Sequence, residues 1–271
     1  MHDRPVEPEI IDFYTSGYDE ARRLTSAAHG RLEFLRTQEL LRRHLPPAPA
    51  SLLDVGGGPG VHARWLTSDG YTVHLVDPVE RHLREARAAG CTVEHGDARA
   101  LTAEDGSQDG VLLLGPLYHL TEPADRLQAL SEARRVLRPG GSLAAAAISR
   151  HSALLDLAAT TRLDPGSADL LGPVLASGHH DGALGFTTAY FHTADQLREE
   201  LTGAGFTDVR LYGVEGPVWH VLKGIEVHTG APAAAPLIES ALIAARLAES
   251  DPALLAAASH FLAVGHAPGG S

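Results

Sequence analysis

Cysteine is almost absent from the 271-residue chain, with Cys91 standing alone. That excludes an internal disulfide and any multi-cysteine metal or radical cluster, and it suits a reducing cytoplasm. Lysine is equally scarce: of 22 basic residues, only Lys223 is a lysine, a skew that fits a GC-rich genome better than a function. No apolar run approaches the roughly 20 residues of a membrane span, "LAAAAI" and "LLDLAA" being far too short. "MHDRPVEPE" has none of the features of a signal peptide, so a cytoplasmic protein is expected. Positive charge is also in deficit, 22 Lys and Arg against 34 Asp and Glu, a net charge of −12. This argues against a grip on nucleic acid or on anionic membrane. The 16 histidines are scattered, only His179 and His180 are adjacent, and no pair has metal-ligand spacing; no metal is expected.

What is present is an alternation. Residues 10–45 read as one or two amphipathic helices ended by "LPPAPA". Strand-like and helix-like stretches then follow in turn: "SLLDV", "GVHARWLTS", "TVHLVD", "VERHLREARAAG", "CTVEHGD", "GVLLLG", "PADRLQALSEARRVLRPGG" and "SLAAAAIS". Short connections and near-continuous apolar strands predict an α/β fold, a mostly parallel sheet with helices on both faces. The alternation breaks at Ser149. Residues 150–187 hold two short helical stretches and the flexible "GHHDGALG", too long for a plain connection, and are read as a lid inserted after the fifth strand. "TADQLREELTGAGF" resumes the pattern with a capping-box signature, Thr193 then Gln196. "DVRLYGV" and "HFLAVGHA" read as a final strand pair, separated by a proline-containing loop and the helix "PLIESALIAARLAES". The organisation predicted is a helical cap over 1–48 and a core over 49–271, with the lid at 150–187.

The motif that bears on chemistry is "LLDVGGGPG", from Leu52 to Gly60. A phosphate loop is excluded, because no Lys-Ser/Thr pair follows the glycines. The dinucleotide fingerprint G-x-G-x-x-G would place its third glycine at 61, which is Val61. The spacing is instead Gly56-x-Gly58-x-Gly60, with Asp54 two residues ahead of the first glycine. A carboxylate there would repel a pyrophosphate. S-adenosyl-L-methionine has no phosphate and carries an ammonium beside a sulfonium, so beneath this loop an acid favours it.

With these residues the chain resembles the class I S-adenosylmethionine-dependent methyltransferases, in particular those acting on small molecules. The likeness covers residues 50–150 by ordered motifs and 188–267 by topology. It implies a Rossmann-like, seven-stranded, mostly parallel sheet, and S-adenosylmethionine as cofactor. "VHLVDP" would be the second strand, with Asp77 accepting bonds from the ribose hydroxyls and Pro78 beside it; the competing role for Asp77 is a helix cap. "HGDARAL" would hold adenine through Asp97 and the Ala98 amide. "VLLLGPLYHL" places Leu114 and Gly115 beneath the sulfonium. Tyr14, Tyr18 and Arg36 belong to N-terminal helices that would fold over the methionine end, Arg36 pairing with its carboxylate or else lying on a solvated face.

Methyl transfer is an in-line displacement that asks mainly for proximity, and for a base only when the acceptor must lose a proton. "GPLYHL" stands where enzymes methylating exocyclic amines of bases carry Asn/Asp-Pro-Pro-Tyr, so those acceptors are not expected. His119 and Tyr118 follow the fourth strand at the ligand-binding edge. His119 is the leading base or orienting group, with packing over the cofactor as its alternative. His179, His180, Tyr190 and His192 are candidates to touch substrate, His192 having helix entry as its competing role. The expected partner is a small methyl acceptor, accepting on O, N or C, plausible in specialised metabolism, for a monomer or homodimer. The competing readings are an NAD(P)-binding oxidoreductase and a non-catalytic cofactor-binding module.

Overall fold

The computed structural model describes residues 7–16 and 20–270. Its centre is a seven-stranded sheet in the order β3-β2-β1-β4-β5-β9-β8. Strands β1 (Ser51–Val55), β2 (Thr72–Asp77), β3 (Thr92–His95), β4 (Gln108–Leu113) and β5 (Leu137–Ile148) are parallel. β8 (Thr207–Gly213) and β9 (His260–His266) close one edge, β9 lying antiparallel between β5 and β8. The expected fold class is the one observed.

Alternation along the strands explains why their sequences are apolar throughout. Leu53, Val55, Val111, Leu113 and Ala145 enter one buried cluster, while Leu52, Leu112 and Ala144 enter another on the opposite face. Both faces are covered, so neither parity can be polar. Burying each such leucine or valine stabilises the fold by about 1.5–3 kcal/mol. Helices α4 (Val61–Ser68), α5 (Glu80–Ala88), α6 (Pro116–His119) and α7 (Pro123–Val136) connect the parallel strands. Every parallel strand therefore ends at one edge, where its following loop opens.

Three elements precede the sheet: α1 (Pro8–Ser16), α2 (Glu20–Arg23) and α3 (Ala28–His44). Between β5 and α10 (Ala194–Gly203) stands the insertion, made of α8 (Ser152–Ala159), α9 (Pro165–Ser177) and a ribbon of β6 (His179–Asp181) and β7 (Thr188–Tyr190). Thr193 and Gln196 form the capping box that their spacing predicts. The stretch after β8 differs from expectation. In place of a loop and one helix, two helices stand there, α11 (Trp219–Thr229) and α12 (Ala235–Ala248). Pro217 lies in the 3-10 turn ahead of α11 rather than inside it, and Trp219 and Leu222 are buried against Ala28 and Leu32 of α3. Among the described residues, no helix is long and apolar enough to cross a membrane.

Candidate active site

At the carboxyl edge of β1 the chain must turn sharply under α4, and glycine permits it. Gly56 and Gly58 hold φ of +69° and +56°. A Cβ on Gly57 would lie 2.7 Å from Oδ2 of Asp54, and one on Gly56 would lie 2.8 Å from Pro116. The loop thus brings bare backbone against a cavity of about 240 Å³. Asp54, Gly56, Gly58, Asp77, Pro78, Asp97, Ala98, Leu114, Gly115, Tyr14, Tyr118 and His119 all line it. These twelve are the residues that the sequence motifs and the resemblance built on them single out, and the fold brings them to one cavity wall. Gly60 is not among the lining residues: it starts α4 at φ +80°, where a Cβ would meet Sγ of Cys91 at 2.9 Å, so its role is close packing.

Asp54 is the unusual group in this cavity. It is 1 % exposed, and its Oδ2 has no hydrogen-bond partner among the described residues. Burial, reinforced by the charge of Asp77, pushes its pKa up to about 7. A buried acceptor left unmatched beside a cavity suits a ligand that brings a positive donor.

Asp77, at the end of β2, accepts hydrogen bonds from the Gly58 amide (2.8 Å), the Val79 amide (2.8 Å) and Nδ1 of His82 (3.3 Å). It both pins the glycine loop and closes the turn that leads into α5, whose N-cap is Val79, while still lining the cavity. Asp97 is clasped by Arg99, through the backbone amide and Nε at Oδ1 and through Nη2 at Oδ2, 2.6 Å away. Burial would raise the Asp97 pKa, but the Arg99 bonds outweigh it and hold the carboxyl below its ordinary value.

Tyr14 of α1 crosses to His119, its hydroxyl 2.9 Å from Nε2. Burial drives the His119 pKa down to about 4, with only partial offset from the Thr188 backbone and Asp77. The ring is neutral near pH 7, and Nδ1 lacks a well-formed partner among the described residues. Tyr118 and Phe186 close around it, at ring-centroid distances of 4.7 and 5.9 Å. Tyr18 lies outside the described residues.

A second cavity of about 360 Å³ adjoins the first, sharing Tyr14, Glu20, Arg23, His62, Leu114 and Tyr118 with it. The insertion roofs it through Phe186, His180 and Leu157. His180 is buried, stacked on Phe191 at 5.3 Å, and its pKa is lowered by burial.

Arg36, His179, Tyr190 and His192 line neither cavity. Arg36 is fully buried elsewhere, bonded to Glu39, Glu249 and the Val214 carbonyl, so its guanidinium is already matched. His179 is exposed on the ribbon. Tyr190 lies under the Arg126 guanidinium at 3.9 Å, and His192 bonds Glu200 at 3.1 Å. Tyr190 thus packs the insertion against α7, and His192 ties the chain that follows it to α10.

Sequence reasoning missed Arg23, His62, His82 and His260, which line one or both cavities. Arg23 bonds Glu20 at 3.0 Å and Glu33 at 2.8 Å. No local pattern marks it. His260 had a topological signal: a strand running antiparallel begins at the edge where the parallel strands end, and His260 opens β9 opposite Ile148.

Residues 52–141 match a family model described as a methyltransferase domain. The chain is similar to a malonyl-[acyl-carrier protein] O-methyltransferase of Methylococcus capsulatus, with 32% identity over 176 residues, 62% of this chain and 56% of that protein. It is also similar to a ubiquinone/menaquinone biosynthesis C-methyltransferase of Acidiphilium cryptum, with 34% identity over 145 residues, 49% of this chain and 55% of that one. The matched region thus spans just over half the length of these two curated relatives. Among solved structures, an S-adenosylmethionine-dependent methyltransferase from Mesorhizobium loti superposes with a TM-score of 0.57 at 20% identity, over 87% of this chain and 99% of that one. That likeness is one of fold.

Proposed function

From a chain that has the class I S-adenosylmethionine-dependent methyltransferase fold and carries a methyltransferase domain at 52–141, we propose an enzyme that methylates a small acceptor with S-adenosyl-L-methionine. One observation carries the reading. Two cavities meet at Tyr118, the first built on the glycine loop and the unmatched Asp54, the second roofed by the insertion. Bound in the first, the cofactor's sulfonium supplies an electrophilic methyl group.

The chain's residues then divide the work. Asp54 faces the aminoacyl ammonium, and Asp77 and Asp97 lie at the ribose and adenine positions. Tyr118, which lines both cavities, stands between donor and acceptor, and Tyr14-bound His119 lines the donor side, so they orient. With its pKa at about 4, His119 is too weak a base to draw a proton from an ordinary hydroxyl. The residues of 150–190 select the acceptor, and of the four expected substrate contacts His180 is the one on the cavity wall. The two curated relatives are named for different acceptors, one methylated on oxygen and one on carbon, so the reading of a partly apolar acceptor from specialised metabolism is supported by the Ala- and Leu-rich insertion. The reading extends to a cytoplasmic enzyme, monomeric or homodimeric, with neither nucleic acid nor membrane as partner.

Calorimetry tests the donor. S-adenosylmethionine and S-adenosylhomocysteine should both bind and NAD should give no heat. Binding of NAD with no response to the methyl donor would establish the oxidoreductase reading in its place. Donor binding with no methyl transfer to any acceptor would leave a non-catalytic module.

A further inference from the structure

Deep in the second cavity, away from the glycine loop, lies a group of ionisable side chains that methyl-donor binding does not use. His260 opens β9 at the carboxyl edge of the sheet and lines this cavity. Its Nδ1 makes a short hydrogen bond to Oε1 of Glu215, whose other oxygen accepts the His260 amide at 3.0 Å. Glu215 is fully buried. The carboxylate therefore holds His260 at two points, the ring at Nδ1 and the backbone at its amide, which sets the ring's orientation and directs Nε2 away from the pair. Phe186, Phe191, Trp219 and Tyr118 supply aromatic walls to the same cavity.

We infer that His260, held at Nδ1 by Glu215, is the catalytic base that takes the proton from an aromatic hydroxyl acceptor bound beneath the insertion. This rests on the methyl-transfer reading and narrows it to O-methylation. In the step, the O–H proton passes to Nε2 of His260. The oxygen lone pair forms the new bond to the methyl carbon while the carbon–sulfur bond breaks and its electron pair stays on sulfur. The imidazolium then returns the proton to solvent. Glu215 is a positioning residue that also stabilises the imidazolium.

The surroundings favour this assignment. Burial, and to a lesser extent the Arg23 charge, would lower the His260 pKa, but Glu215 and then Glu33 outweigh them and hold it above the ordinary value. A base raised in this way is better matched to a phenol than His119 is. Besides Glu33, the charged or titratable groups lining the cavity are Tyr14 of α1, Glu20 and Arg23 of α2, His62 of α4, Tyr118 of α6, Asp156 of α8, Arg162 after it, His180 of β6 and Lys223 of α11, with His220 of α11 acting on His260 from outside the lining. Asp156 and Lys223 pair with each other at 2.7 Å. Ligand atoms of Glu33, Glu215 and His260 lie within 4.8 Å of one another, a spacing that a cation could also use. Arg23 already bonds Glu33, which leaves Glu215 as the carboxylate that balances the imidazolium once His260 has taken a proton.

The test uses the full chain, labelled methyl donor and three probes: 4-methoxyphenol, 4-nitrophenol and 4-methoxyaniline. Wild type should methylate the phenols and not the aniline. His260→Ala should lower kcat about 10²–10⁴-fold on 4-methoxyphenol, and far less on 4-nitrophenol, which is already ionised at mildly alkaline pH. Donor affinity by calorimetry should stay within about twofold, which separates lost chemistry from lost folding. In histidine-labelled protein, the His260 resonance should titrate at lower pH in Glu215→Gln than in wild type, a readout independent of turnover.

Equal loss of kcat on both phenols, or none, overturns the base. So does loss of wild-type activity to a chelator, which would make the three ligand atoms a cation site. Donor binding with no transfer to either phenol overturns the hydroxyl acceptor while leaving the donor site standing. Failure to bind donor removes the methyl-transfer reading itself.

Discussion

At the scale of one residue, Asp54 ties the cofactor's charge to pH. Burial and the neighbouring Asp77 hold its carboxyl at about 7, against 3.8 for the free group. The folded apo protein therefore keeps a proton that the unfolded chain gives up. The stability this proton confers is fully present below about pH 3.8 and is lost as pH rises through about 7. An ammonium opposite Oδ2 favours the charged form, so donor binding should expel the proton. Affinity should rise from about pH 5.5 to about pH 7.5, then fall as the donor's own α-amino group deprotonates near pH 8. Asp54→Asn should erase the lower limb, weaken binding at least about tenfold, and raise the apo melting temperature most at alkaline pH. Titration calorimetry across this range, in two buffers of different ionisation enthalpy, measures both limbs and the released proton. A lower limb that survives in Asp54→Asn would assign it to another group.

At the scale of elements, the insertion is latched to the N-terminal helix. Glu9 of α1 accepts from the Thr188 hydroxyl (2.8 Å), the Thr188 amide (3.3 Å) and the Thr187 hydroxyl (3.5 Å). The latch joins the ribbon over the second cavity to the helix that carries Tyr14 over the first. Glu9→Ala removes contacts at an exposed site, where about 1 kcal/mol is the expected loss. Acceptor KM should rise about fivefold with donor affinity nearly unchanged. Amide exchange at residues 179–190 should quicken, Thr188 above all. Unchanged exchange there would show that the ribbon holds its place without α1.

The same scale separates what the sequence makes legible from what it hides. The sheet was readable because both faces of each strand are buried, giving apolar runs with short connections, and the capping box at Thr193 and Gln196 because a cap is local. The glycine loop and its flanking acids were readable because each sits at a strand end. The ribbon of three-residue strands, "HHD" against "TAY", is too short and mixed for a period to register. Helix α11 was hidden by the Gly-Pro that precedes it. Arg23, His62 and His260 come from separate segments, and only the folded chain sets them around one space.

At the scale of the whole molecule, the net charge of −12 sets how the two ends of the chain are fastened. Acids in excess repel one another, and the arginines are placed where acids cluster. Arg36 of α3 is the centre of such a cluster, fully buried and bonded to Glu39 of its own helix, to Glu249 beyond α12 and to the Val214 carbonyl after β8. Arg43 and Arg246 bond Glu249 and Glu39 from the solvent side. Expected from sequence to hold the cofactor's carboxylate, Arg36 instead clamps the N-terminal helices onto the last third of the chain. Removing one partner of a buried charge pair costs about 3–5 kcal/mol because the other is stranded. Here each carboxylate keeps a second arginine, so Arg36→Met should cost about 3 kcal/mol, the lower end of that range. For a chain of this size that lowers the melting temperature by about 6–12 °C. The folded fraction should bind the donor with wild-type affinity, because Arg36 lines neither cavity. Thermal melts and calorimetry on the same preparation separate the two roles. A variant that melts like wild type but has lost the donor would return Arg36 to the cofactor site.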